Sequence, residues 1–215
     1  MKIIISVLLV FFAILIFLNI LFINKIPNDF EILQANNPDK DTLEKMIIQK
    51  YPAVFTNVTK NLDMETINNN INNNLQEKSI PEIKEYFSYY LAPMCLTYKF
   101  NIHKNELINL RMVNNHRLLI CQLYGKSKIY LFTPKQKKLL YPIKKDGIYK
   151  SKVDFWNPDK KFNAFNQTKY VEINLHEGQM IYIPYKWWYC IDSGANTNHR
   201  LLCGSESFFS YFLRF

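Results

Sequence analysis

Three successive patterns of hydrophobic and polar positions divide this chain. Residues 3–23 are almost all Ile, Leu, Val and Phe, and they are interrupted only by Ser6, Ala13 and Asn19 and by no charged side chain. Residues 24–45 are mainly polar, and after them short apolar runs alternate with turn residues. We therefore expect an apolar N-terminal helix, a connecting segment and one folded domain.

The apolar run predicts a transmembrane signal anchor over residues 1–24. A helix of this length rises roughly 30 Å, the thickness of the hydrocarbon core of a bilayer. A cleaved signal peptide is the main alternative, but its apolar region is only about 7–15 residues long and ends in small residues. The sequence that follows here is Asn24-Lys25-Ile26-Pro27. The lysines at positions 2 and 25 give a slight bias toward a domain on the non-cytosolic side of the membrane. Residues 25–45 are then predicted to form a stalk or linker.

The domain, predicted over residues 46–215, has the pattern of an all-β protein with flanking helices. Two helices are predicted at its start, one along the face formed by Met64, Ile67, Ile71 and Leu75 and one that begins at the capping box Ser79–Glu82. Short strands are predicted at Leu107–Val113, Leu118–Tyr124, Lys128–Phe132, Tyr170–Leu175, Met180–Pro184, Trp187–Ile191 and Leu201–Phe209. Strands of this number and spacing predict a sandwich or jelly roll. Residues 134–169 form a long connection with little regular pattern, which is typical of lids and binding loops.

The net charge is +9, and part of the positive charge is concentrated in the lysines between Lys135 and Lys152. Such a cluster forms either a patch for nucleic acid or acidic lipid head groups, or a solvated loop. Arginines and aromatic residues are not interleaved in it, as they are in many nucleic-acid-binding surfaces. We therefore favour the solvated loop and do not expect nucleic acid as a partner.

Four cysteines allow two interpretations. Cys95, Cys121, Cys190 and Cys203 could form two disulfides, in three possible pairings. Cys121 and Cys190 lie inside apolar strand-like runs, where a buried free thiol is equally consistent with the pattern. The sequence leaves both alternatives open.

Three sets of motifs carry a family resemblance. They are Leu118–Gly125 with Tyr130–Pro134, Leu140–Pro142 with Ser151–Asp159, and Glu177–Pro184 with Trp187–Tyr189. In this order and at these spacings the chain resembles the cupin-like JmjC hydroxylases, the group that includes the asparaginyl hydroxylase of hypoxia-inducible factor. The resemblance extends over about residues 46–209. It implies a double-stranded β-helix, that is, a jelly-roll or cupin fold. It also implies an enzyme that uses Fe(II) and 2-oxoglutarate to hydroxylate or demethylate protein side chains.

The sequence departs from this family at the residues that bind the metal ion and the cosubstrate. Iron is held there by two histidines and a carboxylate on one face, which leaves positions open for the cosubstrate and dioxygen. The matching positions here are Met112, Asn114 and Tyr189, and the lysine that pairs with the cosubstrate is replaced by Ser127. A thioether is a poor ligand for Fe(II), a neutral amide supplies no negative charge, and a phenol stays mostly protonated at neutral pH. We therefore expect no catalytic residue, no metal ligand and no cofactor.

Other residues offer weaker candidates. His116 could share a strand face with Met112, but it would lie roughly 13 Å farther along the strand. Trp187 and Trp188 point to opposite faces of one strand, so we expect one in the core and the other at the mouth of the barrel as a cleft residue. The alternative interpretation is that both tryptophans simply pack.

The sequence therefore predicts a catalytically inactive JmjC or cupin-like domain, a pseudoenzyme, held at a membrane by a single span. It would act as a binding or structural module whose former substrate cleft, with Met112, Asn114 and Tyr189 at its rim, takes a protein or peptide. One alternative is a divergent Fe(II)/2-oxoglutarate-dependent protein hydroxylase with rearranged ligands. A second alternative is a structural membrane protein, such as a virion component.

Overall fold

A computed structural model describes residues 2–24, 27, 29–59, 95–145, 147–194 and 197–207. The two helices predicted between Met64 and about Leu91 lie outside the described residues. The helices of the described part are α1 (Lys2–Asn24) and α2 (Lys40–Ile48). Its strands are β1 (Leu33–Asn36), β2 (Ala53–Thr56), β3 (Cys95–Lys104), β4 (Ile108–Met112), β5 (Arg117–Tyr124), β6 (Lys126–Phe132), β7 (Pro142–Lys145), β8 (Ile148–Ser151), β9 (Val171–His176), β10 (Met180–Pro184), β11 (Trp188–Asp192) and β12 (His199–Ser207).

The strands form two six-stranded sheets. The order in sheet A is β1-β2-β10-β5-β12-β3, and the order in sheet B is β7-β8-β4-β11-β6-β9. The pairings are antiparallel except that of β1 with β2, which is parallel. Two sheets rich in antiparallel pairs are consistent with the jelly roll that the sequence predicts.

Strand alternation distributes the apolar side chains over three buried clusters. An outer cluster on sheet A contains Leu119 and Cys121 of β5 and packs against Leu43 of α2. An inner cluster contains the alternate residues of β5, such as Ile120, together with residues of sheet B such as Ile129. Because successive side chains of a strand point to opposite faces, β5 contributes to both clusters and is buried along most of its length.

The third cluster, called the loop cluster, lies between sheet B and the long connection of residues 134–169. Leu140, Val153 and Phe165 of this connection pack there against Trp188 and Cys190 of β11. The connection also contains 3-10 helices at Pro134–Leu140 and Asn163–Gln167 and the hairpin of β7 and β8, which pairs with β4. The connection therefore has more regular structure than the sequence pattern indicates.

The second half of the predicted stalk over residues 25–45 contains regular structure. Strand β1 pairs along its whole length with β2, and α2 starts at Lys40. The Asp39 side chain caps α2 by accepting a hydrogen bond from the Thr42 amide at 2.8 Å. Leu43 of α2 is fully buried. The folded unit thus begins at about Leu33, well before residue 46.

The N-terminal apolar run forms the helix α1, as its composition predicts. The large apolar side chains described on it are 49–65% exposed, so they are not packed against the domain. Within the described residues, no helix qualifies by length and apolar character as a membrane span. The transmembrane anchor therefore stays a prediction from the sequence.

The cysteines that the structure describes in side-chain detail favour the buried-thiol interpretation. Cys121 and Cys190 are free thiols, and Cys121, Cys190 and Cys203 are all buried. Burial raises the pKa of the thiols of Cys121 and Cys190, which keeps them protonated and unreactive.

Candidate functional site

One cleft of about 350 Å³ brings together several of the residues that the sequence singled out. Its walls come from β3, β4, β11 and β12, from the β4–β5 turn, and from Gly147 and Ile148 of the β7–β8 hairpin. Met112, Asn114 and Tyr189 all border it. The positions predicted to surround a former metal site are therefore close in space.

The β3 wall of the cleft is polar and cationic. Lys99, Asn101 and His103 line it, and because they alternate along the strand they share one face. The His103 ring nitrogen Nδ1 is paired with the carboxylate of Glu106. Lys99 and Asn101 are exposed in the cleft. This wall therefore offers donors to a ligand.

Tyr189 and Arg111 meet on the opposite wall. They are direct partners in the pairing of β11 with β4, so their side chains share one face. The Arg111 guanidinium lies over the Tyr189 ring, 5.9 Å from its centroid, in a cation–π contact. Burial raises the pKa of the Tyr189 phenol, and the positive charges of Arg111 and Arg200 oppose that effect. The phenol is thus neutral at physiological pH.

Met112 and Asn114 do not present donors beside Tyr189. Met112 pairs with Trp188, so its side chain lies on the face opposite to Tyr189 and packs in the loop cluster. The Asn114 side-chain amide donates a hydrogen bond to the carbonyl of Gly147 at 3.0 Å. A buried thioether, an amide engaged with backbone and a protonated phenol do not form a facial ligand set, so these residues do not fit Fe(II).

Other candidate ligands lie elsewhere. His116 stands in the β4–β5 turn, outside the cleft lining, and burial together with the charge of Arg117 lowers its pKa to about 4. Across the described part of the chain, no group of three or more His, Cys, Asp or Glu side chains is arranged to hold a metal ion.

Ser127, the predicted former cosubstrate position, lies in a buried polar cluster. Its hydroxyl donates to Oε1 of Gln122 at 2.7 Å and accepts from Nη1 of Arg200 at 3.4 Å. Arg200 also donates to the backbone carbonyl of Glu106. Ser127 does not line the cleft, but it contacts a fully buried guanidinium.

Sequence reasoning missed Arg111, which lines the cleft, and the buried Arg200, whose charge acts on Tyr189. Arg200 gives a detectable signal, because a charged residue within the strand-like run from His199 to Cys203 is unusual for a buried strand. Arg111 gives no such signal in the sequence. It stands in a short strand next to Met112, the position that the family resemblance had already selected.

The two tryptophans take the packing role and not the cleft role. Trp187 is fully buried in the inner cluster, and Trp188 is fully buried in the loop cluster. They lie on opposite faces as predicted, yet the structure places neither in the lining of the cleft. The second face of β11 is covered by the long connection, which explains why Trp188 is not at an open mouth.

Comparison with known proteins agrees with this architecture. Residues 55–204 match the model of a family described as cupin-like domain. JmjC domain-containing protein D of Dictyostelium discoideum is 38% identical over 77 residues, which cover 34% of this chain and 17% of that protein. HSPB1-associated protein 1 of Homo sapiens is 30% identical over 79 residues (35% and 16%). Lysine-specific demethylase 8 of Xenopus tropicalis is 35% identical over 74 residues (34% and 17%).

The matched segment spans less than a fifth of the length of each of these relatives. The family model, in contrast, covers more than half of the chain and includes every strand from β3 to β11. This chain belongs to the cupin-like domain family.

Proposed function

We propose that this chain is a cupin-like domain that does not catalyse iron-dependent hydroxylation and that binds a ligand in its cleft. The observation that carries the proposal is the pairing of Arg111 with Tyr189 at the position of a family metal ligand. Two cations facing one site repel each other, and a guanidinium stays protonated at every physiological pH. A fixed cation on this wall therefore opposes a ferrous ion.

The remaining donors support the same conclusion. Fe(II) oxygenases use imidazole and carboxylate groups, which supply basicity and negative charge. At the matching positions this chain has Met112, whose side chain packs away from Tyr189, and Asn114, whose amide is held by the Gly147 carbonyl. The β3 wall with Lys99 and Asn101 stays open to a ligand.

Family membership favours a second candidate, a divergent protein hydroxylase or demethylase. One relative is named lysine-specific demethylase 8. In that case the iron ligands would come from other positions than Met112, Asn114 and Tyr189. A protein with a purely structural role is the remaining alternative if the cleft binds nothing.

Iron binding separates these candidates. The full chain, purified anaerobically in detergent, would be incubated with Fe(II) and 2-oxoglutarate, desalted and analysed for iron, with thermal shifts measured in parallel. We expect well under 0.1 equivalent of iron, as for an enzyme that has lost its ligands, and no stabilisation by the cosubstrate. About one equivalent of iron, with a raised melting temperature in the presence of 2-oxoglutarate, would establish the enzyme instead.

We also propose that α1 holds the domain at a membrane. Residues 3–23 carry no charge, α1 extends over Lys2–Asn24, and its described apolar side chains are about half exposed. Exposed apolar surface on this scale is costly in water and favours transfer to lipid. The location of the domain on the non-cytosolic side follows only from the weak lysine bias.

Membrane fractionation tests the anchor. In cells that express the full chain, we expect the protein in the pellet after alkaline carbonate extraction. The double substitution Phe11→Lys/Phe12→Lys should move it to the supernatant, because each lysine near the centre of a span costs about 3 kcal/mol. Substitution of Ile48→Lys, at an exposed position on α2, is the matched control and should stay in the pellet. Wild-type protein in the supernatant would contradict the anchor.

A further inference from the structure

We propose that Asn166 is a site of N-linked glycosylation, an inference that rests on the proposed membrane anchor with the domain on the non-cytosolic side. The sequence contains two Asn-x-Thr acceptor motifs, Asn57-Val58-Thr59 and Asn166-Gln167-Thr168. Such a motif is used only where the chain enters a glycosylating compartment and where the folded domain can carry a bulky glycan. The structure distinguishes the two motifs on the second condition.

The motif at Asn166 lies on the surface of the long connection. Asn166 and Gln167 are exposed, and they belong to the 3-10 helix Asn163–Gln167. The side-chain amide of Asn166 has no hydrogen-bond partner among the residues that the structure describes. Thr168 follows the helix with extended backbone and is half-buried. A glycan on Asn166 would therefore extend into solvent without displacing a contact within the protein.

The buried side chain of Phe165 holds this motif in place. Phe165 packs in the loop cluster, where its ring centroid lies 6.4 Å from that of Phe155. Its carbonyl accepts a hydrogen bond from the Thr168 amide at 2.9 Å. The segment is thus fixed from below and carries Asn166 on its exposed face. None of the three motif residues lines the cleft, so a glycan here would leave the cleft open to its ligand.

The motif at Asn57 is instead part of the packed structure. The Asn57 backbone is left-handed (φ 57°), and its side-chain amide donates a hydrogen bond to Oδ1 of Asn36 at 2.7 Å, which connects the end of β2 to β1. Val58 is fully buried, and Thr59 is only 9% exposed. A Cβ atom added to Gly178 would lie 3.1 Å from the Thr59 hydroxyl, so this hydroxyl faces the β9–β10 turn. A glycan on Asn57 would crowd these contacts, and we expect this motif to stay unmodified in the folded protein.

The transfer itself needs one co-reactant, a lipid-linked oligosaccharide pyrophosphate in the membrane that the chain crosses. The bond from the sugar C1 atom to the pyrophosphate oxygen breaks, and a bond from C1 to Nδ2 of Asn166 forms. The displaced lipid pyrophosphate takes up the proton that Nδ2 loses, so no oxidant or reductant is required. Because transfer takes place as the chain enters the compartment, the folded structure decides whether the glycosylated chain can fold. Asn166 meets this condition.

Expression of the full chain in eukaryotic cells tests the proposal. The protein is extracted in detergent, and its electrophoretic mobility is compared before and after treatment with peptide N-glycosidase. We expect a single increase in mobility, lost in Thr168→Ala and kept in Thr168→Ser, because serine preserves the acceptor motif. Asn57→Gly is the matched control. It destroys the other motif, suits a left-handed backbone, and should keep the increase.

A C-terminal tag with an acceptor motif of its own, joined through a flexible linker, separates failure of this inference from failure of the proposed location. If the tag is glycosylated but Thr168→Ala loses no glycan relative to wild type, the domain has crossed the membrane and Asn166 is not a site. That result overturns this inference alone. A tag without glycan would show that the domain stays in the cytosol, which overturns the proposed location and this inference with it. The iron measurement is independent of both results.

Discussion

Arg111 and Met112 are neighbours in sequence, yet their side chains serve different parts of the molecule. Arg111 shares a face with Tyr189 at the cleft, and Met112 shares the opposite face with Trp188 in the loop cluster. The resemblance to the family assigns positions along the chain, but it does not determine which face of the sheet each side chain occupies. The pairing of β4 with β11 also contains a register shift between Tyr189 and Ile191, which no sequence pattern reveals.

His116 gives a prediction for acid stability at this scale. Its folded-state pKa is about 4 against an ordinary value of 6.5, because burial and the charge of Arg117 disfavour the imidazolium. Between these values the unfolded chain takes up a proton that the folded chain does not, so the free energy of unfolding falls as the pH falls. We expect a loss of up to about 3 kcal/mol between pH 6.5 and 4.

Urea unfolding at several pH values would measure this loss. His116→Gln should flatten the dependence, leaving a residual slope from the buried His199, whose pKa is also lowered. His176→Gln, at an exposed position on β9, is the control and should keep the wild-type slope. An unchanged slope in His116→Gln would contradict this prediction, because it would show that folding does not lower the pKa of His116.

At the scale of elements, the sequence predicted the strands that carry strong apolar runs and missed those that do not. Strand β10 has the bounds that the pattern predicts, Met180–Pro184, and it is buried throughout. The strands β1 and β3 were missed because polar residues fill their exposed positions, as the burial pattern of β1 shows. The short helix α2 was missed for a related reason, since only Leu43 and Ile47 of it are buried.

The attachment of α2 to the domain gives a second prediction. Glu44 forms a bidentate pair with Arg117, whose Nη1 and Nη2 lie 2.8 and 2.7 Å from its carboxylate oxygens. Arg117 is only 5% exposed, so Glu44→Gln leaves a buried guanidinium without its counterion. We expect a loss of about 2 kcal/mol in the free energy of unfolding, below the full cost of breaking a buried pair because Glu44 is partly exposed.

The matched control is Glu172→Gln, which breaks the exposed pair of Lys128 and Glu172 on sheet B. Because solvent screens an exposed pair, this variant should unfold as wild type does. Equal unfolding curves for Glu44→Gln and wild type would mean that α2 is not held to the domain by this pair.

At the scale of the whole molecule, motif order predicted the family and the jelly roll, because turn glycines, strand spacing and the Trp187-Trp188 pair are properties of the scaffold. The scaffold also explains the location of the cleft, which lies where β3, β4, β11 and β12 meet. The electrostatic character of the cleft could not be predicted in the same way. It depends on Lys99 of β3 and Arg111 of β4, which come together around the cleft only after folding.

Overall composition says little about the ligand of the cleft. The net charge of +9 comes largely from lysines of the long connection and of other exposed segments, many of them remote from the cleft. The Lys and Arg side chains that line the cleft are only Lys99 and Arg111 among the described residues.

The central claim is that the cleft of this cupin-like domain does not hold a metal ion. The most direct test is an anomalous difference map from crystals of the full chain that were grown anaerobically with Fe(II) and 2-oxoglutarate and measured at the iron edge. We predict no anomalous peak between Asn114 and Tyr189. A strong peak there, within bonding distance of protein oxygen or nitrogen atoms, would contradict it and would identify the chain as an iron-dependent enzyme.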